Sequence, residues 1–453
     1  MLEKFKSLFK ATDMTTGTPW KQIILFTLPM LIGNVAQQLY STVDSIVVGR
    51  YVGDNALAAV GSASPILNLL LVLFVGISMG VSIMVSQYFG AKEREELSKS
   101  ICNCIVITAI ATAIIMVMSL FVVRPLLEVL NTPDSIIDWC ESYLLILFLG
   151  CIGTAYYNIL SGVLRGLGDA FTALVYLLVA TVLNIVLDIL FVAEFNMGVS
   201  GVALATAIAQ AVSAVLCVIR LMRMTDIFDM KREYFKLTKK HTMEIVKLGL
   251  PSGITQAIFS MAMIIVQSLT NSFGEMFIAA NVIVMRVDGF AMLPNFSYGT
   301  AMTTYAGQNT GAGNYERILK GAKQGTILSI CTTAVITGLI LIFGRQLMSI
   351  FTTTEELVTL SMRLMSILAV GYLAMAITQS LSGVMRGAGD TMTPMWISLI
   401  TTVVVRVPLA YGIAYFTGRQ ECIHISLLCS WLIGAAITLI FYKLGRWKKK
   451  AIS

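Results

Sequence analysis

Two carboxylates, Asp44 and Asp188, lie inside long apolar runs of the chain. A charged side chain at the centre of a membrane span costs about 2.5–3.5 kcal/mol on an insertion scale, so two such residues in one half of a chain suggest a function. Two carboxylates that are close together in a low dielectric either share a proton or are neutralised by a small cation such as sodium. In both cases an ion gradient can load and unload the site.

Two further polar residues accompany these aspartates. Asn184 lies four residues before Asp188, so the two side chains project from one helix face. Counting along the spans places Asp44, Asp188 and Thr206 at a similar depth. We therefore expect Asp44, Asn184, Asp188 and Thr206 to form a compact oxygen cluster that couples transport to a cation. The alternative is that the aspartates only tie helices together, or that Asp44 is hydrated at the outer interface.

The composition identifies the class of protein that positions these residues. The chain is 57% hydrophobic and 13% charged, with a mean hydropathy of +0.82, whereas soluble domains carry about 25% charged residues. Every span should be helical, because lipid cannot satisfy open backbone groups. Twelve apolar segments have transmembrane length: 23–48, 56–88, 101–123, 143–164, 170–193, 197–219, 248–273, 276–306, 325–344, 364–385, 391–417 and 423–442.

An internal repeat divides the twelve spans into two sets of six. LSGVLRGLGD at 160–169 recurs as LSGVMRGAGD at 381–390, with eight of ten residues identical at an offset of 221. Because six is even, both halves have the same orientation, as in parallel-repeat transporters. The sequence predicts an all-α integral membrane protein with an N-terminal six-helix bundle (1–219), a cytoplasmic linker (220–247) and a C-terminal six-helix bundle (248–453).

The repeat also serves as an internal control for the polar cluster. At the positions that correspond to Asp44, Asn184 and Asp188, the second half has only apolar residues, namely Val266, Val405 and Leu409. A carboxylate at these positions is therefore not needed to build the six-helix unit.

Basic residues predict the orientation. Of the 32 Lys and Arg residues, 25 fall on one side of the predicted membrane, five on the other and two inside spans. The positive-inside rule therefore places both termini in the cytoplasm of a multi-pass protein of the cell membrane. The excess charge of +7 is spread over loops that face anionic lipid, which argues against a nucleic-acid partner.

Four other polar or kinked positions lie within spans. Arg286 and Asp288 are predicted to form a structural ion pair or to orient helices, and Arg406 to snorkel or pair. Pro29 breaks the first helix, which also carries Asp44, and is a candidate hinge. A static kink is the alternative.

The chain resembles the multidrug and toxic compound extrusion (MATE) family over nearly its whole length. The resemblance rests on LPMLIGNVAQQLYSTVDSIVVGRYVGDNALAAVG in the first span, the twin SGVLRGLGD and SGVMRGAGD loops, and NIVLDILFV in span 5. It implies efflux of organic cations and other drugs by alternating access, driven by sodium or protons, with no cofactor, no resident metal and no enzymatic activity.

The resemblance also assigns roles to individual residues. The family's cation site falls on Asp44, Asn184, Asp188 and Thr206, and its drug-contacting positions on Gln37, Ser64 and Asn158. Another subgroup carries acids in spans 7 and 10, which here contain none.

Two other functions remain open from the sequence. A related flippase for a lipid-linked sugar would need a larger cationic cavity, for which Arg286 and Arg406 are the only Arg residues within spans. A channel or a membrane enzyme is disfavoured, because the chain has only two His and lacks a Cys cluster, a nucleotide loop and a selectivity-filter motif.

Overall fold

The fold is described from a computed structural model that covers residues 11–52, 54–130 and 132–452. Within these ranges it gives the backbone but not the side chains of residues 40–46, 48–50, 54, 55, 57, 58, 62, 64, 65, 69, 70 and 73. Asp44 and Ser64 belong to this group, so the predictions for their side chains lie outside the described residues.

The described residues form helices joined by short turns and loops, with no strand among them. Its α-helices are α1 (Pro19–Tyr51), α2 (Asp54–Ala91), α3 (Arg94–Val129), α4 (Ile137–Leu149), α5 (Cys151–Gly166), α6 (Ala170–Ile189), α7 (Gly198–Met222), α8 (Lys239–Asn271), α9 (Glu275–Gly311), α10 (Tyr315–Ser349), α11 (Glu355–Gly387), α12 (Met392–Leu399), α13 (Val407–Thr417) and α14 (Cys422–Leu444). Two π-helices, Leu190–Glu194 and Ile400–Arg406, continue α6 and α12, and two 3₁₀-helices are Arg232–Phe235 and Arg446–Lys449.

These helices agree with the predicted spans. Among the described residues, eleven helical segments are long and apolar enough to cross a membrane, and the number is twelve if α4 and α5, which meet at an angle of 49°, are counted as one span. Gly150 lies at this bend, where an added Cβ would come within 2.5 Å of the Ala207 Cβ on α7. The bend thus depends on a close approach that only glycine permits, and the predicted all-α membrane architecture is confirmed.

Packing divides the chain into two compact units. Unit 1 contains Ile32–Gly253, and Thr12 joins it through a hydrogen bond from its amide to the Gly168 carbonyl (3.3 Å). Its glycines allow two helix backbones to touch, since a Cβ on Gly80 of α2 would lie 2.6 Å from the Gly249 nitrogen of α8. Close helix contacts through small residues are typical of membrane bundles.

Unit 2 contains Asp13–Leu31 and Ile254–Ser453. Its core surrounds Tyr372 and Trp431, whose rings lie 5.7 Å apart. Here too glycine permits close packing, because a Cβ on Gly383 of α11 would lie 2.3 Å from the Gly299 carbonyl of α9.

The unit boundaries fall inside α1 and α8. Unit 1 begins at Ile32 and ends at Gly253, so the first part of α1 packs in unit 2 and the first part of α8 packs in unit 1. The predicted bounds 1–219, 220–247 and 248–453 follow the sequence repeat instead and stay a prediction. Pro29 and Pro251 each lie two residues before a boundary.

Candidate functional site

The polar cluster of unit 1 is built on α6, whose start is fixed at two points. The Asp169 carboxylate caps the helix by accepting a hydrogen bond from the Thr172 amide (3.1 Å). The same carboxylate, which is fully buried, forms an ion pair with Arg220 of α7 (2.8 Å). A cap and a charged hydrogen bond together hold α6 and α7 in a defined register.

That register brings three of the predicted residues together. Asn184 and Asp188 are both fully buried and lie one helical turn apart on α6. The Asn184 Nδ2 donates a hydrogen bond to the Thr206 Oγ1 on α7 at 3.3 Å. An amide, a carboxylate and a hydroxyl thus lie in one buried region between the two helices. Their oxygens can serve as ligands for a sodium ion.

The helix that carries this cluster changes its winding next to it. α6 ends at Ile189 and continues as the π-helix Leu190–Glu194, which begins two residues after Asp188. Single π-turns of this kind occur frequently at functional sites. On the following helix, a Cβ on Gly201 would lie 3.1 Å from the Phe191 Cβ, so the π-helix packs closely on the start of α7.

The fourth predicted member, Asp44, lies on α1, which runs unbroken through that position. Because its side chain is outside the described residues, its part in the cluster stays a prediction, as does the role of Ser64.

The structure places the other predicted substrate residues on α1 and α5. Gln37 is exposed on α1. Asn158 of α5 is half-buried, and its Nδ2 donates to the Thr154 carbonyl (2.8 Å). The Asn158 carbonyl accepts hydrogen bonds from Ser78 (2.6 Å) and Ser161 (2.9 Å). The Asn158 amide is therefore oriented by its own helix and does not contact Asn184 or Thr206 by a hydrogen bond among the described residues.

The corresponding positions of the second half are apolar in the structure as well. Val266 is 3% exposed within the core of unit 2, and Val405 and Leu409 are half-buried on the span formed by α12 and α13.

A different polar group was missed by sequence reasoning. The Tyr372 hydroxyl of α11 donates to the Asp288 carboxylate of α9 at 2.8 Å. Because 84 residues separate them, no local spacing in the sequence could have linked these two side chains. Arg406, at the end of the second π-helix, lies close enough to interact electrostatically with Asp288.

The predicted ion pair between Arg286 and Asp288 is wrong. Arg286 is exposed, and no ion pair joins it to Asp288 in the part of the chain that the structure describes. Residues two apart on an α-helix point about 200° away from each other, which explains the separation.

The described residues contain no group of three or more His, Cys, Asp or Glu side chains that could hold a metal ion. The side-chain oxygens of Asn184, Asp188 and Thr206 are ligands of the kind that hard cations take in proteins.

Comparison with known proteins gives a consistent result along the whole chain. The MatE family model matches twice, at residues 29–190 and 251–412. The chain is 30% identical over 443 residues to the probable multidrug resistance protein YpnP of Bacillus subtilis, covering 97% of this chain and 98% of that protein. It is also 27% identical to the probable multidrug resistance protein NorM of Thermotoga maritima, covering 95% and 94%.

Solved structures agree in fold. A multidrug resistance MATE family transporter in an outward-facing conformation superposes with a TM-score of 0.91 at 23% identity, covering 96% of this chain and 98% of that one.

Proposed function

Because the MatE model matches both repeats, the chain belongs to the MATE family of transporters, and we propose that it exports small organic cations and amphipathic drugs in exchange for a cation. Both relatives named above are described as probable multidrug resistance proteins, which supports this class of substrate. The activity we assign is transport, without catalysis.

The observation that carries the proposal is the buried carboxylate of Asp188. It lies one turn from the hydrogen-bonded pair Asn184 and Thr206, and the second half has Leu409 at the same repeat position. A buried intramembrane carboxylate that the fold does not need is expensive, and such residues generally mark ion pathways. We therefore assign cation coupling to the first half, with Asp44 as the second carboxylate.

In the proposed cycle, the cation and the drug favour different conformations of the protein. In the outward-facing state, sodium or a proton binds at Asp188 and Asp44, which favours a conformation with lower affinity for the drug. Pro29 lets α1 bend between the two conformations, because proline removes a backbone hydrogen bond from the helix. The drug leaves to the outside, and the protein returns inward with the cation. Such coupling requires that each ligand bind one conformation better than the other.

Gln37, Ser64 and Asn158 are assigned to drug binding. Flexible methionines in the spans, together with these hydrogen-bonding side chains, suit ligands of varied shape. We also propose that both termini lie in the cytoplasm of a cell-membrane protein, since the basic residues concentrate on that side.

A cellular efflux assay tests the proposal. Energised cells that lack their own drug pumps would express the native chain or Asp188→Asn at equal membrane levels, and export of a fluorescent organic cation would be followed. Efflux by the native chain that Asp188→Asn abolishes is the expected result.

The matched control is Leu409→Asn, which introduces an amide at the same repeat position of the second half and should transport. Equal efflux by the native chain and Asp188→Asn would remove coupling from Asp188. Absence of efflux in all three would instead argue for another substrate, such as the lipid of a flippase.

A further inference from the structure

Gln210 of α7 has a buried carbonyl oxygen that accepts no hydrogen bond. The Oε1 atom is shielded from solvent, and the described part of the chain offers it no donor. A buried acceptor without a partner destabilises a fold, so its presence requires an explanation. Packing does not supply one, because the second half has Trp431 at the same repeat position, 221 residues later.

Gln210 lies on the face of α7 that packs against α6. Thr206, one turn before it, accepts the hydrogen bond from Asn184 (3.3 Å). Ser213, one turn after it, donates to the carbonyl of Tyr176 (3.0 Å). Residues 206, 210 and 213 fall within about 60° of one another around an α-helix. Gln210 therefore faces α6 between two contacts, and the order of those contacts makes α6 and α7 antiparallel.

The part of α6 opposite Gln210 has no polar side chain on the shared face. One turn before Asn184 on that face lies Ala180, which is 3% exposed. Alanine offers no donor to the Gln210 oxygen and leaves room for the longer side chain. The missing partner thus follows from the local packing.

The direction of the side chains brings this oxygen toward the polar cluster. Long side chains of an α-helix lean toward its N-terminus. On α7 this takes Gln210 toward Thr206, and on α6 it takes Asp188 toward Asn184. Because the helices are antiparallel, Asp188 and Gln210 lean toward each other from the two sides of the bond between Asn184 and Thr206.

We propose that the Gln210 Oε1 is a further ligand of the coupling cation and that this cation is sodium, an inference that rests on the proposed coupling role of Asp188. An amide oxygen is an acceptor that does not take up a proton at neutral pH. A proton on a carboxylate makes one hydrogen bond, whereas a metal cation binds several oxygens at once. Sodium would thus engage Gln210 together with the carboxylate of Asp188.

Sodium-dependent stability of the purified full-length protein tests this assignment. The unfolding temperature in neutral detergent would be measured at one pH against sodium chloride, with choline chloride keeping the ionic strength constant. A ligand that binds only the folded state raises this temperature. We expect sodium to stabilise the native chain and to have no such effect on Asp188→Asn.

Gln210→Met should need about tenfold more sodium for the same stabilisation, because it loses one ligand of a charged group. The matched control is Gln267→Met on α8. The Gln267 amide is exposed and donates to Asn271 (2.8 Å), so this variant should keep the native sodium dependence.

Gln210→Met also separates ion binding from packing. Methionine is unbranched and adapts to apolar surroundings, and it removes the buried oxygen that lacks a donor. The sodium-free variant should therefore unfold at a higher temperature than the sodium-free native chain. A glutamine that only supported the packing would give the opposite result, with a lower temperature at every sodium concentration.

The other outcomes separate this inference from the proposed function. Native sodium dependence in Gln210→Met would remove Gln210 from the site and leave coupling at Asp188. A native chain that acidification stabilises and sodium does not would overturn the choice of sodium, while drug efflux that requires Asp188 would still stand. Efflux that survives in Asp188→Asn would instead contradict the proposed function itself.

Discussion

The two halves of the chain use the same helices for different polar chemistry. In the first half, the span formed by α6 carries Asn184 and Asp188, both fully buried, whereas the corresponding span of the second half carries Val405 and Leu409. Both spans contain a π-helix, yet only the first pairs it with a buried carboxylate on the same span. The six-helix fold therefore tolerates the carboxylate without requiring it.

The second half contains a polar network of its own, in which four buried or half-buried side chains bond to one another or to the backbone. Asp288 accepts from Tyr372 (2.8 Å), and Asn295 accepts from Thr333 (2.8 Å) and donates to the Tyr372 carbonyl (3.3 Å). A satisfied network of this kind makes a core more rigid. Under the proposed function, the cluster of Asn184, Asp188 and Thr206 serves transport, whereas this network of the second half serves structure.

The largest effect on stability is expected at the start of α6, which is anchored differently from α12, its counterpart in the second half. Asp169 is paired with Arg220, whereas Asp390, at the same repeat position, is bonded to Thr393 (2.7 Å) and has Phe441 in place of the arginine. Arg220→Gln should lower the free energy of unfolding by about 2 kcal/mol, below the range for fully buried pairs because Arg220 is partly exposed.

Unfolding by denaturant in detergent micelles measures this difference, with Phe441→Gln as the matched variant. The distinction between the anchors would be lost if Arg220→Gln were as stable as the native chain.

A smaller effect is expected from Tyr372→Phe in the second half. The variant removes the hydrogen bond to Asp288, and the loss should cost about 1.5 kcal/mol, the lower end of the range for a bond to a charged group, because Asp288 is half-buried. The unfolding temperature should fall while drug efflux persists. Tyr411→Phe, which removes an exposed bond to the Ile265 carbonyl, is the control and should change stability less. Loss of efflux at native stability in Tyr372→Phe would give the second half a direct part in transport.

Thr206→Val tests whether Thr206 belongs to the proposed cation site of the first half. It keeps the shape of the side chain but removes the hydroxyl that accepts from Asn184. A net contribution of about 1 kcal/mol corresponds to roughly a fivefold higher concentration of the driving cation for half-maximal transport. Thr206→Ser should restore the native value. A cation dependence that is unchanged in Thr206→Val would separate Thr206 from the site.

The smallest effect is expected from pH, which should act differently on the contacts of Arg94 in unit 1 and of Arg317 in unit 2. The hydrogen bond from Arg94 lowers the pKa of the Asp229 carboxyl, so the pair stabilises the fold at neutral pH and this contribution is lost as the pH falls through the lowered value. In unit 2, Arg317 instead donates to the carbonyls of Met14 (3.1 Å) and Gly17 (2.7 Å), which do not titrate.

Acidification below about pH 4 should therefore loosen residues 225–229 and leave 14–17 in place. Amide hydrogen-exchange protection factors in the two segments measure this, and equal loss of protection in both would contradict the distinction.

Sequence alone predicted most of the fold. Apolar length predicted every span, and the repeat of LSGVLRGLGD and LSGVMRGAGD predicted two related sets of six helices. The bend between α4 and α5 was not foreseen, because it depends on the contact of Gly150 with Ala207, 57 residues later. The division of α1 and of α8 between the two compact units was not predicted either, because it follows from packing.

The candidate site was predictable only in part. The four-residue spacing of Asn184 and Asp188 places them on one face, and counting depth brought Thr206 near them. The bond between Tyr372 and Asp288 had no local signal, and neighbouring charges at Arg286 and Asp288 suggested a pair that helix geometry forbids. Periodicity reports which face a residue occupies, whereas the partner across a bundle depends on the fold.

Transport by purified protein in liposomes shows whether Asp188 couples drug movement to a cation. Drug movement driven by an imposed sodium or proton gradient would be measured for the native chain, Asp188→Asn and Asp288→Asn, all reconstituted at equal density. We expect that Asp188→Asn loses gradient-driven transport and that Asp288→Asn, although less stable, keeps it. Transport that survives in Asp188→Asn but is lost in a folded Asp288→Asn would contradict the assignment of coupling to the first half.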